Sequence, residues 1–377
     1  MSIPAKRRQK ISDAIRLSDV AKRAGCSTAT VSRALNTPAM VNKEVRDRIN
    51  AAIAELGYLR NSAAGALRSR RTRTIGAVIP TLNHAIYARL VEAIQNHAAE
   101  TGYSLLVTTS NFEVEREARQ ARLLVERGAE GLVLVGHTHA AELTALLAAK
   151  SIPFINTYTY HPKSNQPSVG FDNHAASAQV ARYLYELGHR RVGLIVGFRK
   201  DNDRVKDRIA GSVETLAERG APVPDALVVE EPYSIEGGRE GLRRLLDSGL
   251  DPTAVICGSD VLAFGAVIEC GARNVAVPKQ VSIAGFDDLD FAAHLSPPLT
   301  TIRVPATEMG WRAAEYLMAS LERRPSAMHY PLDTSLILRQ STCPPSLSVG
   351  VAALASAQGR GQSKKGDRRS IRKAQST

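Results

Sequence analysis

Apolar residues near the start of the chain recur at helical spacing. Leu17, Val20, Ala21 and Ala24 fall at i, i+3, i+4 and i+7, which predicts one face of a helix. Gly25 breaks it, and Ser27 or Thr28 is placed to cap a second helix running to about Leu35. Asn42 caps a third, with Val45, Ile49, Ala52, Ile53 and Leu56 as its apolar face and Gly57 as its stop. Two short helices joined by a glycine-containing turn make a helix-turn-helix. From Thr74 the pattern changes. Continuous apolar runs at 75–80, 103–110, 131–136, 153–157, 191–197, 226–230, 254–259 and 282–287, with a further strand segment at 168–172, are separated by helical stretches. Strands buried on both faces and spaced by helices predict parallel, doubly wound sheets. Eight or more of them predict two such lobes facing across a cleft, with ligands beyond the carboxyl ends of the strands. The expected fold is a small all-α helix-turn-helix head followed by an α/β core of two doubly wound lobes.

The connection between head and core is short and basic. Asn61 is placed to cap a brief helix containing Ala63, Ala64, Ala66 and Leu67, but Gly65 weakens it by roughly 1 kcal/mol relative to alanine. Such a segment is expected to order only on binding. The expected organisation is a disordered basic arm (1–16), a head (17–60), a hinge (61–73), a core (74–342) and a disordered basic tail (343–377). That tail lacks the leucine heptads of a tetramerising coiled coil.

Charge sharpens this division. The formal net charge is +12, and residues 1–73 hold 16 Lys or Arg against 5 Asp or Glu. Residues 360–377 hold 7 against 1, so the long middle is mildly acidic. A basic head on an acidic body suits a polyanion such as DNA. The 377 residues exceed one hydrophobic core, and 44% hydrophobic with 23% charged residues is ordinary for a globular protein. The chain has no run of about 18 apolar residues and no apolar stretch behind its basic start, so no membrane span and a cytoplasmic location are expected. Cys26, Cys257, Cys270 and Cys343 have no C-x-x-C pairing, which argues against a disulfide scaffold or zinc ribbon.

The stretch LSDVAKRAGCSTATVSRALN (17–36), with VNKEVRDRINAAIAELGYLRNSAAGALR (41–68), closely resembles the lactose-repressor (LacI/GalR) family of bacterial regulators. GFDDLDFAAHLSPPLTTIRVPATEMG (285–310) is similar to that family's core signature, and the similarity covers roughly residues 17–342. The resemblance implies a periplasmic-binding-protein-like core and a homodimer on a pseudo-palindromic DNA operator. It also implies one small effector per subunit, derived from a carbohydrate such as a sugar or sugar acid. The chain would cross between lobes, with 74–171 joined by 304–331 and 172–303 by 332–342. Repression is the expected output.

The second helix is then the one that enters the major groove. By match to the family motif, Thr28 and Ala29 begin it and choose the operator subtype, Ala29 being suited to a thymine methyl. Arg33 matches the base-contacting arginine, for which a bidentate contact to guanine is natural. Thr30, Ser32 and Asn36 complete the DNA-facing set, the two hydroxyls suiting phosphate contacts or the helix itself. Asn61, Ala64 and Leu67 match the family's hinge helix, with Leu67 the wedge at a central minor-groove step. Where the family usually has proline before the asparagine, this chain has Arg60, which leaves the hinge less pre-ordered.

For the cleft, Asp287 ends the SIAGFD strand and matches the family aspartate that accepts from sugar hydroxyls. Arg208, three residues before Gly211, matches its ligand-binding basic position. Ser259 follows the AVICG strand, Asn83 and Tyr87 follow the first strand, and Tyr158 follows the fourth. Val304 suggests an apolar edge to the ligand. Arg199, Lys200, Arg204 and Arg208 make the cleft attractive to an anion, although a surface charge run explains the first three equally well.

Two other classes compete. A solute-binding protein shares the two-lobed core but needs neither the basic head nor its motif. An enzyme on a doubly wound fold would need a site, and G-x-G-x-x-G, G-x-x-x-x-G-K-[ST] and G-x-S-x-G are all missing. His137 and His139 have a metal-like H-x-H spacing but no evident third ligand, and solvated loop histidines are the simpler account. No catalytic residue, metal or cofactor is called for.

Overall fold

A computed structural model describes residues 15–58 and 71–346. Most of the expected arm, the hinge residues Asn61, Ala64 and Leu67, and the tail beyond 346 lie outside the described residues. The chain divides into two compact units, Met1–Thr72 and Arg73–Thr377.

Among the described residues the head holds three helices, α1 (Leu17–Ala24), α2 (Thr28–Asn36) and α3 (Lys43–Leu56), with a 3-10 turn at Pro38–Met40 that the spacing did not announce. Its stops are chemical. Gly25 and Gly57 adopt left-handed backbone (φ 64° and 62°) and close α1 and α3. Ser27 Oγ accepts from the Thr30 amide, and Asn42 Oδ1 from the Glu44 amide. Val20, Ala21, Ala24, Val31, Ala34, Ile49 and Ala52 form the core, with Leu17, Leu35, Val45, Ile53 and Leu56 packed around it. Arg23 makes a bidentate pair with Glu55, tying α1 to α3. So small a core has little reserve. Ile49→Ala, at a fully buried position, is expected to cost about 2–5 kcal/mol. Calorimetry should show the head's transition lost while that of the core persists.

The core carries β1 (Thr74–Ile79), α4 (Ala85–Glu100), β2 (Ser104–Thr109), α5 (Val114–Glu126), β3 (Leu132–Val135), α6 (Ala141–Lys150), β4 (Phe154–Thr157) and β5 (Ser168–Gly170). Then come α7 (Asn173–Glu186), β6 (Val192–Val196), α8 (Asp203–Glu218), β7 (Val228–Glu230), α9 (Ile235–Asp247), β8 (Ala254–Cys257), α10 (Asp260–Ala272), β9 (Ser282–Asp287) and β10 (Thr300–Arg303). The last elements are α11 (Ala306–Leu321), β11 (His329–Pro331) and β12 (Ser335–Ile337).

Two six-stranded sheets result, ordered β11-β5-β4-β3-β1-β2 and β12-β10-β9-β8-β6-β7. The first is parallel throughout its described pairs, and the second is parallel except for β12, which runs antiparallel to β10. The central strands β3, β6, β8 and β9 are buried along their whole length, as their unbroken apolar runs require. The chain changes sheet three times: after β5, after β10 (α11 packs on α4 and β4), and between β11 and β12. In each sheet the order reverses beside its first strand, β1 or β6, and that switch point is where such folds bind ligands. The four cysteines are free thiols; burial pushes Cys270 up to about 12 and Cys257 higher still. Among the described residues no helix is long and apolar enough to cross a membrane.

Candidate functional site: an interlobe cavity and a DNA-facing helix

A cavity with about 420 Å³ of empty space, part of it open to solvent, lies where the carboxyl ends of the two sheets meet. The first lobe contributes His84, Ile86, Tyr87, Phe112 and Tyr158, and the second Asn202, Arg204, Arg208, Tyr233, Ser259 and Asp287. Five residues expected from the sequence, Tyr87, Tyr158, Arg208, Ser259 and Asp287, therefore meet in one wall system. Two expectations need correction. Asn83 is exposed in the turn before α4, where its amide bonds Thr81 Oγ1, and the next residue, His84, turns inward instead. Val304 is buried but lines a different cavity, with Arg89, Asp288 and Arg303, because it lies past the end of β10 where the chain leaves the sheet.

Arg208 is aimed by three contacts. Its Nε donates to Asn173 Oδ1 (2.8 Å), its Nη1 to the Gly258 carbonyl (2.8 Å), and its guanidinium lies 3.7 Å from the Phe286 ring centre. Asn173 in turn donates to the Tyr158 carbonyl across the cleft. Ser259 caps α10, its Oγ accepting from the Leu262 amide. The Tyr158 hydroxyl donates to the Ile86 carbonyl, and its ring meets Tyr87 edge-on at 5.3 Å.

Asp287 stands apart. It is 93% buried (7% exposed), and among the described residues its carboxyl makes no hydrogen bond or ion pair. Burial pushes that carboxyl well above the usual range, against the pull of Arg208. Its backbone has φ 120°, a conformation L-residues rarely adopt. The following residues hold it there. Asp288 is gripped by Arg303 and Arg339, each at 2.7 Å, and buried Asp260 accepts from the Leu289 amide and the Thr301 hydroxyl. Burial lifts Asp260 to about 7.

The lobes are latched directly. The His84 ring donates from Nε2 to the Tyr233 carbonyl (2.9 Å), the His137 amide donates to Asp203 Oδ2 (3.0 Å), and Arg89 pairs with Asp290 (2.7 Å). Beside the second latch, Gly136 has φ 86°, and a Cβ there would collide with the Arg204 guanidinium. Gly136→Val is expected to expel Arg204 from the cavity, loosen the lobes and weaken effector binding at least tenfold, as read by calorimetric titration.

His137 and His139 are not solvated loop residues. The His139 side chain is 1% exposed; Nδ1 meets Glu117 Oε2 at 2.6 Å and Nε2 meets Asn156 Oδ1 at 3.0 Å. Two acceptors require both ring nitrogens protonated. Burial alone would lower its pKa, but the hydrogen bond and charge of Glu117 prevail and raise it. Burial, with His161 next to it, lowers that of His137, whose Nε2 meets Ser164 Oγ at 2.8 Å.

Sequence reasoning missed His84, Phe112, Tyr233 and Asn202. Phe112 and Tyr233 each follow a strand, β2 and β7, so the rule that selected Tyr158 would have found them.

On the head, Thr28, Ala29, Arg33 and Asn36 lie on the exposed face of α2, while Val31 and Ala34 are buried beneath. Thr30 Oγ1 is engaged with Ser27 Oγ (2.9 Å), and Asn36 Nδ2 donates to the Ser32 carbonyl and to Ser32 Oγ. Among the described residues the Arg33 guanidinium has no protein partner.

A helix-turn-helix head joined to a two-lobed core with an interlobe cavity defines a ligand-responsive, DNA-binding transcriptional regulator. Residues 16–61 match the family described as bacterial regulatory proteins, lacI family, and residues 72–331 match the periplasmic binding proteins and sugar binding domain of the LacI family. The HTH-type transcriptional repressor CytR of Escherichia coli K12 is 31% identical over 335 residues, covering 89% of this chain and 98% of CytR. The HTH-type transcriptional regulator reg1 of Streptomyces lividans is 33% identical over 338 residues, covering 87% and 96%. The Lac repressor dimer bound to operator and the anti-inducer ONPF superposes with a TM-score of 0.78 at 25% identity, over 88% of this chain and all of that one. A CelR–cellobiose complex gives 0.65 at 28%, over 86% and 99%. The chain belongs to the LacI family of bacterial regulatory proteins. It is a sequence-specific DNA-binding regulator with an effector domain, not an enzyme.

Proposed function

We propose that this chain is a cytoplasmic homodimeric repressor whose affinity for a pseudo-palindromic operator is set by a carbohydrate-derived effector, a sugar or sugar acid, held between the core lobes. One observation carries the effector half of the reading. Asp287 is a buried, strained carboxyl with no hydrogen-bond or ion-pair partner among the described residues, lining with Arg208 a cavity walled by Tyr87, Tyr158 and Tyr233. A buried carboxylate left unsatisfied is costly unless a ligand supplies donors. Sugar hydroxyls donate to carboxylates, accept from guanidinium, and stack their C–H faces on aromatic rings. The sugar-binding description of the matched core and the cellobiose complex of one structural relative support the same class.

On the DNA side, the exposed Thr28–Ala29–Arg33 edge of α2 suits base contacts, with Thr30, Ser32 and Asn36 stiffening the helix or meeting phosphates. Asn61, Ala64 and Leu67 are assigned to a hinge that enters the minor groove. Lobe angle is the natural coupling variable, because the latch His84–Tyr233 is part of the effector cavity's wall and the latch His137–Asp203 adjoins the lining residues Asn202 and Arg204. The test is a thermal-shift screen of the full chain against neutral and acidic sugars. A ligand that raises the melting temperature of the core in wild type but not in Asp287→Asn supports this cavity. A ligand that stabilises both equally places the effector elsewhere.

A further inference from the structure

We propose that Arg204 is an anion receptor in the effector cavity, so that the effector is a hydroxylated organic acid, a sugar carboxylate or sugar phosphate, in preference to a neutral sugar. The inference rests on the interlobe cavity being the effector site. Arg204 is the second residue of α8, yet its side chain is only 11% exposed and reaches across to the first lobe over Gly136. It lines the 420 Å³ cavity and also an adjoining one of about 320 Å³, so it stands at their junction.

Its hydrogen bonding is incomplete. A guanidinium carries five N–H donors, and among the described residues Arg204 uses Nη1 alone, toward Asp203 Oδ1 at 3.1 Å. That is long for a charge-assisted bond, which is usually 2.7–2.9 Å. Asp203 is itself divided, since its other oxygen accepts from the His137 amide. A largely buried planar fork with donors unused among the described residues fits the oxygens of a carboxylate or phosphate.

The neighbouring cations do not compete for this role. Arg199 is half exposed and paired with Glu230 at 2.6 Å, and Lys200 is exposed. Arg208 has committed two of its three nitrogens to Asn173 and Gly258. The acids present leave room for an anion. Glu117 is paired with His139, Glu113 is exposed, and Asp201 lies at the rim of the adjoining cavity. Asp287 makes no ion pair with either arginine among the described residues, and burial favours its neutral form. The ligand would place its acid at Arg204 and its hydroxyls toward Asp287 and Ser259.

The experiment titrates the full chain with matched probes by calorimetry: glucose, galactose and ribose against gluconate, glucuronate, galacturonate, glucose 6-phosphate and ribose 5-phosphate. The expected result is an acid binding at least 100-fold tighter than its neutral parent, with the carboxylate and phosphate arms identifying the anion. In Arg204→Met that ratio should fall at least tenfold. Arg204→Lys, which keeps the charge without the fork, should fall between, and melting curves should show both variants folded. A neutral parent binding as tightly as its acid, or an unchanged ratio in Arg204→Met, overturns the proposal while leaving the sugar-sensing reading intact. Silence of the whole panel, neutral and acidic, overturns both.

Discussion

Replacing Arg33 by alanine is expected to abolish operator discrimination while leaving most non-specific DNA affinity in place. Arg33 sits on the exposed face of α2, in its last turn, and has no side-chain partner among the described residues, which leaves its long side chain free to reach base edges. A bidentate arginine–guanine contact is worth about 1–3 kcal/mol of discrimination. Two heads on a two-fold operator double it to roughly 2–6 kcal/mol, between about thirty-fold and twenty-thousand-fold in affinity. The neighbouring exposed side chains, Thr28 and Ala29, are too short to compensate. Fluorescence anisotropy on DNA selected from a random pool, run across a salt titration, measures both quantities. The specific affinity should collapse while the salt dependence stays steep, because phosphate contacts set the slope. Equal binding of selected and random DNA by the wild-type chain would mean that the head holds DNA without reading it.

Asp287→Asn is expected to act in opposite directions on function and stability. The aspartate is native in a space that disfavours its charge, with a folded-state pKa well above the ordinary 3.8. As pH rises from 3.8 toward that folded value, the unfolded chain releases a proton that the folded chain retains, so stability falls; above the folded value the deficit is constant. Asparagine keeps the side-chain shape of the aspartate that already holds this φ of 120°, but removes the titration. The variant should therefore be more stable than wild type at neutral pH, by about 1–3 kcal/mol, with the difference vanishing near pH 3. Losing the carboxyl's hydrogen-bonding pattern should weaken effector binding by about 0.5–1.5 kcal/mol, two- to about twelve-fold. Melting curves against pH, paired with ligand titration, check both signs. A variant no more stable than wild type at pH 7 and still fully responsive would remove Asp287 from the site.

The head was readable because its signals are local. The 17, 20, 21, 24 spacing, the Ser27 and Asn42 caps and the Gly25 and Gly57 stops all act within one or two turns. The central strands were equally legible, since burial on both faces leaves an apolar run. The edge strands β11 and β12 were not: each has three residues, partly exposed, and exists only because the chain returns to a sheet already built. The same limit governs the site. Position beyond a strand end brought Tyr87, Tyr158, Ser259 and Asp287 into one cavity, but which of Asn83 and His84 turns inward depends on where α4 begins. Among the basic residues from Arg199 to Arg208, the match to the family singled out Arg208, but sequence offered no means of choosing Arg204 over Arg199 and Lys200. The choice follows from Glu230 holding Arg199 at the surface and from Gly136, sixty-eight positions before Arg204, leaving space for its guanidinium. His139 was misjudged for a related reason, because its partners Glu117 and Asn156 come from other elements.

Coupling between the cavity and the operator is the centre of the account, and it is reciprocal by necessity. The direct measurement is operator affinity by anisotropy with and without the carbohydrate ligand that most stabilises the core, together with ligand affinity with and without operator. A coupling of about five- to 150-fold, equal in both directions and lost in Asp287→Asn, is the predicted result. A ligand that occupies the cleft yet leaves operator affinity unchanged would contradict it.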